Sequence, residues 1–338
     1  MGKHVVVIGA GVAGLETAAN LATMGFRVTL VEKEETIGGH LKQWHTLFPS
    51  LISGHELLEN IKRGITENVK VQTGIKIIGL EAVNDYFTVS GHNGWQEKAD
   101  VVVLTTGFQL FDARRKEEYG YGIYENVITS ADLEELFASD KVFVNRRGKK
   151  PERIGFVHCV GSRDEKVNNL HCSKVCCITA VKQAIEVKQH LPDAEVFCFY
   201  MDLRMFGRHY EEIYKEAQEK YNIQFIRGRL SESTEDSDGN IVVKVEDTLL
   251  GKPLRMKVGL LVLMAGMEPA KDTKTLTAML GLNDVSDRFI HPVDELFRAN
   301  CTEIPGVFVA GSLSGPKSVS DTLADARSAA LAVKSFLN

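Results

Sequence analysis

His4-Val-Val-Val-Ile-Gly9-Ala-Gly11-Val-Ala-Gly14, continued through a second run, Arg27-Val-Thr-Leu-Val-Glu32-Lys33, is the stretch whose reading decides the fold. The β-branched run 4–8 suits a central parallel strand, which is buried on both faces and so needs no polar alternation. Three glycines follow at GxGxxG spacing, and residues 15–24 then carry apolar side chains at helical intervals. Strand, glycine turn and helix in that order give the pattern its meaning. Gly9 permits the tight turn, Gly11 lets a pyrophosphate approach the backbone, and Gly14 lets the helix lie close to the sheet. The helix start then offers free amide hydrogens to phosphates. A second strand at 27–31 ends on Glu32, placed for ribose hydroxyls and unfavourable to a 2′-phosphate. The chain opens with a dinucleotide-binding α/β unit. Taken alone, the motif does not separate FAD from NAD.

Working outward, 338 residues suffice for two domains with cores of their own. Hydrophobic residues make up 44% and charged ones 25%, as in a soluble globular protein. A net charge of −5 argues against nucleic-acid binding, which requires a basic face. No apolar run reaches the roughly 20 residues that span a bilayer. The glycine-rich N-terminus reads as strand and turn, not as a signal peptide. Six cysteines, four of them within 159–177, suit metal or redox chemistry in a reducing compartment better than a secreted disulfide scaffold. The expected location is the cytoplasm.

Glu32-Lys33 followed shortly by Gly38-Gly39 resembles the extended fingerprint of flavoproteins with two dinucleotide-binding domains. In that family the segment lines FAD, so the resemblance implies contacts from Lys33, Gly38, Gly39, His40 and Leu41. Val101-Val-Val-Leu-Thr-Thr106-Gly107 resembles the strand that returns to the flavin. Gly306-Val-Phe-Val-Ala-Gly311 resembles the late strand before the C-terminal helix. Many relatives place an aspartate after that last glycine to bind the ribityl chain; here Ser312 stands there, leaving a hydroxyl or the backbone. Gly315-Pro316-Lys317-Ser318 precedes a helix expected over 319–337 whose N-terminus should face the flavin. Lys317 is a candidate hydrogen-bond donor to the isoalloxazine, set against a plain solvated lysine. Trp44, His45 and Phe48-Pro49 are weighed as a cover for the ring, with ordinary packing favoured. A surface helix is expected over 55–64, and a strand with an antiparallel hairpin over 69–100.

After a basic loop at 146–151 the βαβ logic repeats. Strands are expected at 153–158, 195–200 and 223–226, and helices at 173–190 and 210–221. The fold class is therefore α/β, two doubly wound sheets. The FAD-binding domain is expected at 1–150 and 291–338, with an inserted Rossmann-like domain at 151–290. In NAD(P)H-dependent flavoproteins the first strand of the second domain runs into another glycine fingerprint. Here it runs into Cys159-Val-Gly161-Ser-Arg-Asp164, and a single glycine is too little to cradle a pyrophosphate.

Cys159, Cys172, Cys176 and Cys177 follow, the last three near an expected helix start that favours thiolates. Purely structural cysteines would not need to be adjacent in pairs. A redox disulfide is disfavoured by the CxxxC spacing and by the strain of a Cys176–Cys177 bridge. Zinc accepts four thiolates, but CxxxCC is not a zinc-ribbon spacing and adjacent ligands crowd a tetrahedral ion. A 4Fe–4S cluster uses all four thiols at once and is the favoured reading. Arg163 and His171 flank the segment as possible hydrogen-bond donors. Arg204, Arg208 and His209 are weighed as partner or cluster contacts, Cys198 and Cys301 as bystanders, and 231–240 as a polar hairpin tip.

The spacing Cys159-x12-Cys172-x3-Cys176-Cys177 resembles the cluster motif of HdrA, a component of heterodisulfide reductases. Neighbouring words agree: Phe111-Asp112, Glu118-Tyr-Gly-Tyr-Gly122, Asn126-Val-Ile-Thr129, Val160-Gly-Ser-Arg163, Met201-Asp-Leu-Arg204, Phe206-Gly207, Tyr210-Glu-Glu212, Phe225-Ile-Arg-Gly-Arg229 and Gly315-Pro-Lys317. The resemblance implies a thioredoxin-reductase-like fold, FAD and a 4Fe–4S cluster, and partner subunits like HdrB and HdrC. Long members carry an N-terminal extension and ferredoxin-like modules that this sequence lacks; its size resembles the short forms of bacterial sulfur metabolism, sHdrA or QmoA. The expected function is an electron-transfer subunit in sulfur metabolism, an oxidoreductase acting as a homodimer. The alternatives are an NAD(P)H-dependent FAD disulfide reductase and a non-catalytic flavin and zinc scaffold.

Overall fold

The computed structural model describes residues 2–139, 143–145, 147–282 and 286–338. The chain divides into two compact units: Met1–Lys42 with Gly54–Gln109 and Glu268–Asn338, and Gln43–Ser53 with Leu110–Met267. These breaks differ from the sequence-based limits of 150/151 and 290/291. The reason is strand pairing and burial. Val127–Thr129 pairs in parallel with Leu261, Val262 and Leu263, so the segment before the expected boundary belongs to the second sheet. Phe111, Tyr119 and Val127 share a core with Val157 and Leu263. Leu276 and Ile290 are instead buried in the core of the first unit. Arg146, in the expected basic loop, lies outside the described residues.

In the first unit, His4–Ile8 forms the centre of a five-stranded parallel sheet. Arg27–Val31 and then Val69–Gln72 flank it on one side, Val101–Leu104 and then Val307–Val309 on the other. Val5, Val6 and Val7 are fully buried, as a strand covered on both faces requires. The Val12–Thr23 and Val319–Leu337 helices cover it, with the hydroxyl of Thr17 donating to the carbonyl of Ala326 at 3.4 Å. Ser318 caps the last helix reciprocally with Asp321. Gly54–Lys62 is the surface helix, and Ile77–Val83, Tyr86–Gly91 and Gln96–Ala99 form the antiparallel hairpin sheet.

The second unit has its own five-stranded parallel sheet in the order Val127–Thr129, Leu260–Ala265, Arg153–Val160, Glu195–Tyr200, Gln224–Arg227. Its helices include Ser130–Ala138, Cys176–His190 and Tyr210–Glu219. Residues expected to be a polar hairpin tip are partly strand: Leu230–Glu235 pairs with Ile241–Asp247, which pairs with Lys252–Val258. Arg153–Val160 runs two residues past its expected end. Its register against the neighbouring strand shifts between Val157 and Val160, and Cys159 there has φ of 59°. Such an irregularity re-aims side chains, here at the end of the central strand.

Candidate functional site

In the first unit the glycine turn has the geometry its spacing implies. Gly9 has φ of 104°, and a Cβ on Gly14 would lie 1.8 Å from the Gly9 carbonyl oxygen, so the helix sits directly on the turn. Gly38 and Gly39 have φ of 123° and 54°, and the Gly38 amide donates to the Ala10 carbonyl at 2.8 Å. A Cβ on Gly39 would come within 3.1 Å of the Gly11 Cα. The two glycine turns therefore face each other across bare backbone, leaving the approach to the helix amides free of side chains from these positions. Glu32 is buried beneath them and accepts from the Ala10 amide at 2.7 Å and the Glu34 amide at 3.0 Å. Each carboxylate oxygen retains a second lone pair for a ribose hydroxyl.

Thr106 and Gly107 follow the strand Val101–Leu104. The Thr106 hydroxyl is buried without a hydrogen-bond partner, and the space where a Gly107 Cβ would project is open. Space is likewise open at Gly315, whose φ is 136°. Leu41 is buried, and His40 stacks on Phe108 with Nε2 3.0 Å from the Phe108 carbonyl oxygen. Burial pushes the His40 imidazole below its ordinary value despite that carbonyl. Lys33 pairs with Asp272 at 2.6 Å. Lys317 points back into its own turn, bonding the Gly311 carbonyl at 3.0 Å and the Ser314 hydroxyl at 2.7 Å, with Asp325 at 3.5 Å. Its ammonium fixes the turn that carries Gly311, buried Ser312 and Pro316. Trp44, His45 and Phe48 fall in the second unit. There His45 Nδ1 lies 3.2 Å from Glu186, and Phe48 packs edge-on against Tyr210.

In the second unit the thiols gather at the end of the central strand, and none of the six cysteines is in a disulfide. Cys159, Cys176 and Cys177 are buried and Cys172 half-buried. Only Cys176 and Cys177 open the helix, which starts at residue 176 and not 173. Cys172 lies in the preceding turn and accepts from the Lys174 amide at 3.4 Å. Cys176 sits between the other two buried thiols. Hydrogen bonds to Cys159 and Cys177, reinforced by burial, hold its proton and push it well up. The same bond from Cys176 lowers Cys159, with burial opposing. Cys177 falls to about 4, through Cys176 first and against burial, helped by His158 and by the Arg204 amide. Cys176 thus keeps its proton between two thiols that give theirs up more readily. Among the described residues no group of three His, Cys, Asp or Glu is drawn together as a single-ion site. Cys198, fully buried in its strand, is pushed far up by burial and stays inert.

The loop between Cys159 and Cys176 is tied from several sides. Ser162 and Ser173 hydrogen-bond each other, and Ser173 accepts from the Met267 amide at 2.8 Å. Asp164, 2% exposed, accepts from Lys116 at 2.8 Å and Arg229 at 2.6 Å. Burial opposes its ionisation, but these two cations outweigh it and hold the carboxyl below the usual range. Gly161, with φ of 71°, is required sterically, since its Cβ would lie 2.1 Å from the Phe111 ring. Asp202 binds Arg163 at 2.8 Å, and its carbonyl oxygen lies 3.7 Å from the Cys177 sulfur. His171 Nε2 is 2.8 Å from the Met267 carbonyl oxygen, while Arg208 and His209 are exposed. Sequence reasoning missed His158, Lys116 and Asp202. A histidine inside an otherwise apolar buried strand was the available signal for the first.

Residues 3–143 match the family model of pyridine nucleotide-disulphide oxidoreductases. In Methanococcus maripaludis, the A component of the H2/formate:CoB-CoM heterodisulfide, ferredoxin reductase is 34% identical, over 98% of this chain and 64% of that protein. In Methanocaldococcus jannaschii, the iron-sulfur A component of the CoB–CoM heterodisulfide reductase is 33% identical over the same shares. The chain thus spans less than two thirds of the length of these curated relatives. Among solved structures, thioredoxin reductase of Lactococcus lactis superposes with a TM-score of 0.68 at 19% identity, over 99% of each chain. That of T. acidophilum gives 0.66 at 20%, over 98% of this chain and 97% of the other. Along nearly its whole length the chain is similar to the A components of heterodisulfide reductases, and its fold is that of the thioredoxin reductases.

Proposed function

We propose that this chain is an FAD- and 4Fe–4S-containing electron-transfer subunit of a heterodisulfide reductase-like complex in sulfur metabolism. The observation that carries the reading is the thiol site. Four cysteines, three of them buried with Cys176 bonded to Cys159 and Cys177, stand where a second nucleotide turn would lie. Thiolates in that number are the normal ligand set of a 4Fe–4S centre. Buried nitrogens beside them, on His158 and Arg163, lack partners, as an anionic group would require. Cys159, Cys172, Cys176 and Cys177 would hold the iron.

For FAD, the amides at the start of the Val12–Thr23 helix with Gly9 and Gly11 would receive the pyrophosphate, and Glu32 the ribose. The unpartnered Thr106 hydroxyl and the open space at Gly107 and Gly315 fit the flavin side of the molecule. Flavin supplies two-electron and the cluster one-electron chemistry, so this chain would convert between them. The partners would be HdrB- and HdrC-like subunits, with the chain itself a homodimer in the cytoplasm. Among the described residues no helix is long and apolar enough to cross a membrane.

The nicotinamide-dependent alternative is weakened by the Phe111 ring, which packs over Gly161 where a pyrophosphate would have to approach. Anaerobic purification followed by iron, sulfide and zinc analysis tests the reading. The expected result is about four irons and four sulfides per chain with FAD; zinc without iron would overturn it. Cys177→Ala should remove the broad brown absorbance and leave the flavin bands, and unchanged iron content would refute this ligand set.

A further inference from the structure

Two side chains beside the thiols carry buried nitrogens with no well-formed hydrogen bond. His158 is 6% exposed, and neither ring nitrogen has a partner at hydrogen-bond geometry. Arg163 spends Nη2 on Asp202 at 2.8 Å, while its Nη1 is buried and unpartnered. Leaving such a group unsatisfied is costly, more so when it is charged, so native proteins rarely do it. Both side chains act on the thiols: His158 helps lower Cys177, and Arg163 is within electrostatic reach of Cys159 and Cys172. Their backbones are held fast. His158 stands in the central strand at its register shift, and Arg163 has φ of 53° in the loop that Asp164 and the Ser162–Ser173 bond tie down.

We infer that His158 and Arg163 donate hydrogen bonds to the iron–thiolate group held by Cys159, Cys172, Cys176 and Cys177, and so hold its reduction potential up. The inference rests on the cluster reading above. An electron added to a buried anionic centre raises its negative charge, so a fixed N–H donor stabilises the reduced form more than the oxidised one. The low surrounding dielectric strengthens that effect. Nitrogen donors at these two positions are therefore tuning residues, distinct from the ligands.

The test is an anaerobic potentiometric titration of the reconstituted full chain, followed by the electron paramagnetic resonance signal of the reduced cluster. His158→Leu removes the donor at similar volume, His158→Gln retains an N–H, and Arg163→Gln removes the charge. Iron per chain and the flavin spectrum report folding. The Leu variant should favour the oxidised cluster about tenfold more than wild type, a fall of about 59 mV for one electron. The Gln variant should fall between the two, and Arg163→Gln should shift in the same direction as Leu. A Leu variant with full iron at the wild-type potential would overturn the inference. Equal loss of iron from both His158 variants would overturn it too, by assigning the ring to packing. Wild-type chain that takes up no iron would instead sink the cluster reading itself.

Discussion

Asp164 carries much of the precision of the thiol loop. Its carboxylate is buried between the Lys116 ammonium and the Arg229 guanidinium, and it also accepts the Lys166 amide at 3.1 Å. A carboxyl held below its ordinary value near pH 3.9 stabilises the fold fully above that value, and loses the contribution as pH falls through the lowered one. Asp164→Asn should cost about 3–5 kcal/mol at neutral pH, because it leaves Lys116 buried with a single partner. Denaturant melts from pH 7 down to pH 3 should show wild type converging on the variant at the acid end. A constant difference across that range would contradict the assignment. None of this was legible in the sequence. Lys116, Asp164 and Arg229 are ordinary charged residues there, and only the fold brings Arg229 to Asp164 across 65 positions. His158 was more visible, as a histidine in a strand of buried apolar neighbours.

At the scale of the element, the Val12–Thr23 helix and its turn were read correctly because each glycine answers a local steric demand. A Cβ at Gly14 would overlap the Gly9 carbonyl and crowd the Thr105 hydroxyl at 2.8 Å. Gly14→Ala should therefore push the helix off the turn and lower FAD occupancy several-fold. Overpacking of this kind costs about 1–3 kcal/mol. Flavin absorbance per chain after desalting measures it, and wild-type occupancy would show that the turn is not the pyrophosphate site. The helix after the thiols was less legible. Its composition allows a start at Ser173, but Ser173 is committed to Ser162 and to the Met267 amide. The helix begins only at Cys176, and Cys172 stands apart from the two cysteines that open it. The family words at 111–112 and 225–229 also changed meaning. Phe111 fills the space over Gly161, and Arg227 and Arg229 reach Asp202 and Asp164.

For the whole molecule, the proposed flavin and cluster would together give a capacity of about three electrons per chain. Anaerobic dithionite titration of the reconstituted protein should consume three, and neither NADH nor NADPH alone should bleach the flavin rapidly. Consumption of only two electrons, or fast bleaching by either nucleotide, would return the chain to the disulfide reductases. The sequence determined by itself that there are two parallel α/β sheets, that the first strand of one runs into a GxGxxG turn, and that a strand of the other runs into a segment of thiols. Those features depend on neighbouring residues: β-branched runs, glycines at fixed spacing, and cysteines in one segment. Tertiary structure decided where the units divide, because strand Val127–Thr129 chose its partner from residues far along the chain. It also decided what surrounds the thiols, because burial leaves His158 and Arg163 with nitrogens that water would otherwise satisfy. Desolvation is a property of the packed molecule, and no residue carries it in its name.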